Sequence, residues 1–435
     1  MPWALFRSNS GNAARLAAED ASPQQLCDAL VAAIARHAGS RHRGAEDVHR
    51  RLALILSRLE QAAVAQTGIA SYASEGSVGS TRAPEESNPV QELNPVQEAD
   101  PVQEADLVAD RQKEGSALIV ALLAADVPAL LVDRLEDLCF ETRKGAMRLF
   151  SAVLKTALPL GEDAALVDYI RSHPRISQSL LDGSGRHEVF AHCAQMLRAC
   201  TRYKELVSML ANQGAFGRLI DLACHDTFDI SSEAFSSLRE LLLAQKPVSA
   251  AHISANFDRF FSQYHTLLRP GVAYVARRQA LRLLGDALLD RAFMEVMLTY
   301  VTNVQFLQIH MNLLRDTSRA VQVDAFHIFK IFVANPNKPY KVVAILCKNR
   351  ERLLQLLHAF GHGASGGKRS DGSSKHFQED LTAIMDSLRV LELPARLPRA
   401  ATMGRPFAHS ADHGSPAAGS VSEIEEAALK MVEAA

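Results

Sequence analysis

The segment 311–339 contains a stretch whose side chains are apolar around most of a helical circumference. Thr317 and Ser318 supply N-cap chemistry and the Asn335-Pro336 pair supplies a stop, so we predict one helix of about four turns between them. At about 100° per residue, the polar side chains fall within one arc. The residues of this polar arc are Arg319, Asp324, His327 and Lys330. One solvated arc on an otherwise buried helix is typical of the inner helix of a stacked helical repeat.

The same pattern recurs along the chain. A small residue, followed by apolar residues one and four positions later, is found at Ala146, Cys193, Ala234, Ala280 and Ala325. The separations are 47, 41, 46 and 45 residues, and periods of this length are typical of HEAT and armadillo arrays. The small residue lets neighbouring helices approach, and the apolar residues fill the joint between repeats. We therefore predict an all-α, HEAT/armadillo-like helical-repeat solenoid, with an irregular all-α bundle as the alternative.

Composition divides the chain into six segments. The hexapeptide NPVQEx starts at residues 88, 94 and (with Asp) 100, and a proline every six residues forbids a continuous helix, so an extended, acidic insert is expected there. The predicted segments are the N-terminal helices of the array (1–65), a disordered insert (66–106), the helical-repeat solenoid (107–360), a flexible loop (361–375), a C-terminal helix (376–393) and a disordered tail with one short helix (394–435).

No catalytic residue, metal site or cofactor is predicted. His187 and His192 flank Glu188, but they are five positions apart, whereas a zinc-protease helix needs histidines four apart. The glycine-rich segment 361–370 has Gly367 where a phosphate-binding loop requires lysine. The six cysteines form no CxxC pair, which favours reduced thiols and a cytoplasmic protein. The longest apolar run is too short to cross a membrane, so no membrane partner is predicted.

Charge is distributed unevenly. Residues 257–360 carry 14 Lys and Arg against 7 Asp and Glu, whereas residues 83–114 carry 9 acidic against 2 basic residues. A basic C-terminal half attracts either nucleic acid or an acidic protein partner. Aromatic residues are not interleaved with the basic ones as base stacking requires, so we predict a protein partner and no nucleic acid.

Several sequence segments strongly resemble the calcium-binding protein 39 family, which is the mouse protein 25 family of kinase scaffolds. The resemblance is dense from about residue 130 to 360 and absent from the proline repeat and the tail. The matching segments are TFDI (227–230), FDRFF (257–261), RQ to LLG (278–285), LLDR (288–291), MNLLRD (311–316), AFHIFK (325–330) and FVANP (332–336).

This resemblance implies a curved horseshoe of helical repeats that is not itself an enzyme. Family members bind the pseudokinase STRAD and Ste20-type kinases, and in fungi they act with NDR-type kinases in cell morphogenesis. The concave face is expected to stabilise the active conformation of the kinase. A separate C-terminal pocket is expected to bind a Trp-Glu-Phe-like C-terminal peptide. The protein itself is expected to be a monomer before complex formation.

The resemblance also places candidate site residues. The peptide pocket corresponds to Arg278, Arg282 and Met311; the two arginines, four positions apart, share a helix face and can bind a carboxylate.

The kinase-facing surface corresponds to Phe228, Arg291 and Met294. The family has phenylalanine at the last position, whereas this chain has Phe293 one residue earlier, so contact with the kinase there is an open question.

A generic HEAT-type interaction adaptor that does not activate kinases is the main alternative, and a nucleic-acid-binding array is the second. The adaptor is distinguishable because it should not bind Trp-Glu-Phe-like peptides.

Overall fold

The computed structural model describes residues 21–37, 45–75, 101–156, 165–363 and 372–393. Within these ranges the chain forms twenty α-helices and two short 3-10 helices, without a β-strand. The all-α prediction is therefore confirmed. The chain divides into two compact units, residues 1–215 and 216–435.

In the first unit, α2 packs on α5 and α5 packs on α8, while α1 packs against α2 and α3. These helices are α1 (Pro23–His37), α2 (Ala45–Glu75), α3 (Pro101–Ala124), α4 (Val127–Asp133), α5 (Phe140–Thr156), α6 (Ala165–Ser172), α7 (Pro174–Gly183), α8 (Phe190–Cys200) and α9 (Lys204–Asn212). No single helix in the described ranges meets the length and apolarity needed to cross a bilayer; Asp106–Ala124 and Val127–Asp133 meet them only together, as a pair bent by 55°.

In the second unit, α11 packs on α14, α14 on α17, and α17 on α20. Its helices are α10 (Ala215–Ala223), α11 (Phe228–Leu243), α12 (Lys246–Ala255), α13 (Phe257–Tyr264), α14 (Tyr274–Leu288), α15 (Met294–Tyr300), α16 (Val304–Leu313), α17 (Arg319–Ala334), α18 (Tyr340–Lys348), α19 (Arg350–Gly363) and α20 (Gly372–Val390). The 3-10 helices are His265–Leu268 and Arg291–Phe293.

The small residues that recur in the sequence are buried on helices that pack on one another. All five are buried, with exposed fractions of 2% or less; they lie on α5, α8, α11, α14 and α17. On α5, Gly145 precedes Ala146, and a Cβ atom at Gly145 would lie 2.8 Å from Leu52 Cδ2 of α2. The helical-repeat prediction is confirmed by this packing within each unit, and the horseshoe curvature stays a prediction.

Stacked helices of the second unit run in parallel. Arg278 near the start of α14 contacts Asp324 near the start of α17, and Gly285 further along α14 faces Ile328 further along α17. Arg239 of α11 likewise pairs with Asp286 of α14, near the end of each helix. This arrangement is the one expected of a repeat array, because each inner helix contacts only its neighbours.

Helix α17 begins and ends where the sequence predicts. Its N-cap residue Ser318 is extended, but the Ser318 side chain makes no capping hydrogen bond. Instead, the Ser318 amide donates to Asp316 Oδ1 at 2.9 Å, and Gln322 Nε2 donates to the Asp316 carbonyl at 2.7 Å. Gln322 interrupts the apolar surface of α17 because it holds the turn that precedes the helix.

The polar arc of α17 is not the solvated arc that the sequence predicts. Lys330 is 4% exposed, and its Nζ donates to Asp380 Oδ2 of α20 at 2.8 Å. His327 lies beside Phe377 of α20, and burial lowers the pKa of His327. The prediction is wrong here because α20 packs on α17 and covers this part of the arc.

Arg319, at the start of the same arc, is tied to α19. Its Nη2 donates to the Phe360 carbonyl at 2.5 Å, and its guanidinium lies 4.5 Å from the centre of the Phe360 ring. Such cation–π contacts stabilise a partly desolvated arginine.

Several predicted segment boundaries differ from the helices. Helix α2 continues through residues 66–75 and α3 includes residues 101–106, although both stretches were assigned to the disordered insert. Pro101 is compatible with α3 because proline is tolerated in the first turn of a helix. Helix α19 extends to Gly363 and α20 begins at Gly372, inside the predicted loop. Residues 76–100, 364–371 and 394–435 lie outside the described residues, and the predictions for them stand untested.

The core of the second unit contains a buried chain of three polar rings. Tyr300 Oη lies 3.0 Å from His265 Nε2 and 2.7 Å from His310 Nε2. Phe261, Phe306 and other aromatic rings surround them. Burial lowers the pKa of His265 to about 4, and burial together with the charge of His265 lowers the pKa of His310 to about 3.

The anchor positions predict an asymmetry between neighbouring residues of α14. Ala280→Leu inserts three carbons into a filled joint and should lower the free energy of unfolding by about 1–3 kcal/mol. Gln279→Leu places the same side chain on the exposed face and should change the free energy of unfolding by less than about 0.5 kcal/mol. Urea unfolding followed by circular dichroism measures both, and equal effects would refute the assignment of Ala280 to a repeat joint.

The buried histidines predict loss of stability in acid. Because their pKa values in the folded protein lie below the ordinary value of 6.5, the unfolded chain binds protons first, and stability falls as the pH drops from about 6.5 towards 4. Each histidine should contribute about 1.4 kcal/mol per pH unit inside this window. Urea unfolding at several pH values gives the free energy of unfolding as a function of pH. This free energy should fall less steeply with decreasing pH for His310→Gln than for wild type. Leu307→Ala, a buried neighbour that does not titrate, should show the same pH dependence as wild type.

Candidate partner-binding site

Helix α14 places three of its polar side chains on one face. Gly271, whose φ of 96° favours glycine, makes the turn before it, and Ala273 is the extended N-cap residue. Tyr274, Arg278 and Arg282 then follow at intervals of four, so their side chains lie one above another. Tyr274 is 45% exposed, Arg282 is exposed and Arg278 is half-buried. The two predicted pocket arginines are therefore brought together, as their spacing predicts.

Arg278 is held by an acidic residue of the next stacked helix. Its Nε donates to Asp324 Oδ2 at 3.0 Å, and the side chains are 40% and 13% exposed respectively. This hydrogen bond raises the pKa of Arg278, and the Tyr274 hydroxyl adds a smaller contribution in the same direction. The guanidinium is thus charged, oriented and partly open to solvent.

The neighbouring Arg277 is in a different environment. Its Nη1 lies 3.1 Å from Asp316 Oδ2, and the two side chains are only 15% and 10% exposed. This ion pair fixes α14 to the turn before α17. Of these two adjacent arginines, Arg277 is mostly covered and joins two segments of the protein. Arg278 remains accessible to a ligand.

Met311 belongs to a third helix, α16, and is half-buried. Helices α14 and α16 both pack on α17. Whether the three side chains act as one pocket stays a prediction. A partly exposed thioether is suited to contact an aromatic ligand.

The residues of the predicted kinase-facing surface differ in accessibility. Phe228 is the first residue of α11 and is 66% exposed, so it does not belong to the core. Arg291 is exposed and opens a 3-10 helix that follows α14, which ends at Leu288. Met294 is half-buried at the start of α15.

Asp290 orders the turn in which Arg291 lies. Its Oδ1 accepts a hydrogen bond from the Ala292 amide at 3.0 Å, and its Oδ2 accepts one from Lys246 Nζ at 2.6 Å. Burial acts to raise the pKa of Asp290, but the hydrogen bonds from Lys246 and Ala292 outweigh it and lower the pKa.

The shifted aromatic, Phe293, does not lie on the surface, and contact of Met294 with a kinase stays a prediction. The Phe293 side chain is 1% exposed and lies in the core. It therefore cannot replace an exposed phenylalanine at position 294, and Met294 is the only one of the two that a partner can reach.

Two residues of this site, Tyr274 of α14 and Asp324 of α17, were not predicted from the sequence. Tyr274 carries a detectable signal, because it lies four positions before Arg278 and begins the same helix. Asp324 was assigned to a solvated arc, and its contact with Arg278, 46 residues away, is visible only in the packed structure. The described part of the chain has no group of three His, Cys, Asp or Glu side chains arranged for a metal ion.

Comparison with known proteins matches most of this chain to one family. A family profile described as Mo25-like matches residues 39–392. The Mo25-like protein of Schizosaccharomyces pombe is 39% identical over 245 residues, covering 56% of this chain and 74% of the relative. Calcium-binding protein 39-like of Mus musculus is 36% identical over 294 residues, covering 66% and 84%.

Similarity to solved structures is weaker. An engineered protein has a TM-score of 0.37 at 15% identity, covering 61% of this chain and 96% of its own. A designed armadillo repeat protein in complex with a (KR)4 peptide has a TM-score of 0.35 at 15% identity, covering 60% and 98%. The description of the fold rests on the helix packing given above.

The different environments of the two adjacent arginines predict losses of stability of different size when each is replaced by alanine. Arg277→Ala leaves Asp316 buried without its cation and should lower the free energy of unfolding by about 3 kcal/mol. Arg278→Ala removes a half-exposed pair and should cost at most about 1 kcal/mol. Thermal unfolding compares the variants, and a larger loss for Arg278→Ala would show that Arg278 is the structural member of the two.

Proposed function

Because this chain belongs to the Mo25-like family, we propose that it is a non-catalytic scaffold that binds a protein kinase or pseudokinase and stabilises its active conformation. The candidate partners are Ste20-type or STRAD-like proteins, or kinases of the NDR pathway. The protein contributes binding energy to the kinase and takes no part in phosphoryl transfer.

The observation that carries this proposal is the α14 face. Tyr274 offers a partly exposed ring, and Val275 beside it is 44% exposed, so an aromatic side chain of a partner finds apolar surface there. Arg278 and Arg282 provide cations one turn apart for a carboxylate. A Trp-Glu-Phe-like C-terminal peptide carries both chemistries, with two aromatic rings and two carboxylates. These features support α14 as the site for such a peptide.

Phe228, Arg291 and Met294 are proposed to contact the folded kinase domain. Phe228 is 66% exposed, and burial of a phenylalanine side chain by a partner contributes about 1.5–3 kcal/mol to binding. Exposed aromatic and arginine side chains are frequent energetic centres of interfaces. Of these three residues, we therefore expect Phe228 to cause the largest loss of kinase affinity when it is replaced by alanine.

Activation follows from selective binding. A preformed surface that fits only the active conformer shifts the kinase equilibrium by its difference in affinity for the two conformers. Moving a kinase from about 1% to 99% active requires a difference of about 5.5 kcal/mol. Peptide binding at α14 tethers the partner and raises the effective concentration of the kinase domain at the second surface.

Kinase activity with and without the purified protein tests the proposal. We expect stimulation of a Ste20-type or NDR-type kinase by wild type, and at least tenfold weaker peptide binding by Arg282→Glu, because the reversed charge repels the carboxylate. Arg269→Glu, a reversal at another exposed arginine of the second unit, is the matched control and should behave as wild type.

The outcomes separate the proposal from its alternative. Peptide binding without stimulation of any kinase tested would identify a generic interaction adaptor. Failure of both assays would remove the kinase partner altogether.

A further inference from the structure

Three ion pairs join successive stacked helices of the second unit, and one of them is unlike the others. Arg239–Asp286, between α11 and α14, is half exposed at both partners. Lys330–Asp380, between α17 and α20, buries its cation. Arg278–Asp324, between α14 and α17, instead buries its carboxylate, which is 13% exposed, and leaves its cation 40% exposed.

The geometry of the third pair leaves most of the guanidinium available. An arginine side chain has five N–H donors, and Asp324 accepts from Nε alone, at 3.0 Å. Asp324 uses none of the four hydrogens of the two terminal nitrogens, although the Tyr274 hydroxyl on the same helix face also interacts with this guanidinium. An arginine held through Nε presents its terminal edge as a planar fork, which matches the two oxygens of a carboxylate.

From this arrangement we infer that Asp324 is a positioning residue that fixes the Arg278 fork for a carboxylate of the bound partner. The inference rests on the proposed function and adds one residue, Asp324, to it. Asp324 does not touch the ligand; it acts through Arg278. The carboxylate is either a glutamate side chain or the C-terminus of the partner peptide.

Two opposing effects of Asp324 can be compared. Its own charge repels a ligand carboxylate on the far side of the guanidinium, about 7 Å away, which costs roughly threefold in affinity in water. Fixing the arginine in advance avoids a loss of rotamer freedom worth up to about thirtyfold. Positioning therefore outweighs repulsion, and Arg282 on the next turn adds a second cation that offsets the Asp324 charge.

Peptide titration by calorimetry tests the inference. The probes are one synthetic peptide ending in Trp-Glu-Phe, the same peptide with a C-terminal amide, and the same peptide with glutamine in place of glutamate. Wild type should prefer the unmodified peptide over one of the two neutral forms, which identifies the carboxylate held by Arg278. Asp324→Asn should reduce this preference by about tenfold and leave affinity for that neutral form unchanged.

A matched variant and a second substitution accompany the test. Asp286→Asn removes the equivalent pair with Arg239 and should retain the wild-type preference. Arg278→Lys keeps the charge next to Asp324 but has no fork, so it should lose the preference as Asp324→Asn does. Arg278→Lys decides the matter if Asp324→Asn does not fold.

Unchanged or tighter binding of the unmodified peptide by Asp324→Asn would overturn the inference, as would an equal loss for all three peptides or a full preference in Arg278→Lys. If wild type binds none of the peptides, the proposed function fails first and the role of Asp324 falls with it. A preference in wild type that survives in Asp324→Asn leaves the proposed function intact and removes only the positioning role.

Discussion

Close packing of small residues between stacked helices is the constraint on which the structure depends. Each of the five recurring small residues is almost fully buried on a helix that packs on another helix of its unit. A side chain of larger volume at these positions would separate the helices, and every residue that reaches across the joint would lose its partner. The ion pair between Arg278 and Asp324 exists because α14 and α17 approach closely and in parallel register.

The cationic side chains between stacked helices of the second unit differ in what they do: some only hold helices together, and one also remains accessible. Lys330 is buried and Arg277 is 15% exposed, and the ion pairs of both hold helices together. Arg278 shares the same type of bond, yet its side chain remains accessible on the α14 face, beside Tyr274 and below Arg282. A protein-binding surface can therefore be assembled from the same interactions that join the repeats, with burial deciding which cation is left for a partner.

The repeat architecture and the shared face of the arginines could be predicted from the sequence because both depend on spacing along the chain. The limits of α17 were predicted for the same reason. Environments produced by distant segments could not be predicted. The sequence around Lys330 predicts a solvated arc. In the structure, α20 covers this arc, and its contact residue Asp380 lies fifty positions further along the chain. Gln322 interrupts the apolar surface of α17, and only the structure shows its hydrogen bond to the Asp316 carbonyl. Pro101 belongs to a proline repeat that predicts no continuous helix, yet it is the first residue of α3.

The burial of Lys330 beneath α20 has a consequence for how the array ends. Removing the partner of a buried ammonium group is strongly destabilising, and Lys330 is paired with Asp380, on the last helix that the structure describes. Helix α17 therefore requires α20, which supplies the carboxylate that neutralises Lys330. The outer residues of α20, including Val390 at 77% exposure, meet solvent in place of Lys330, so within the described residues the stack ends on α20.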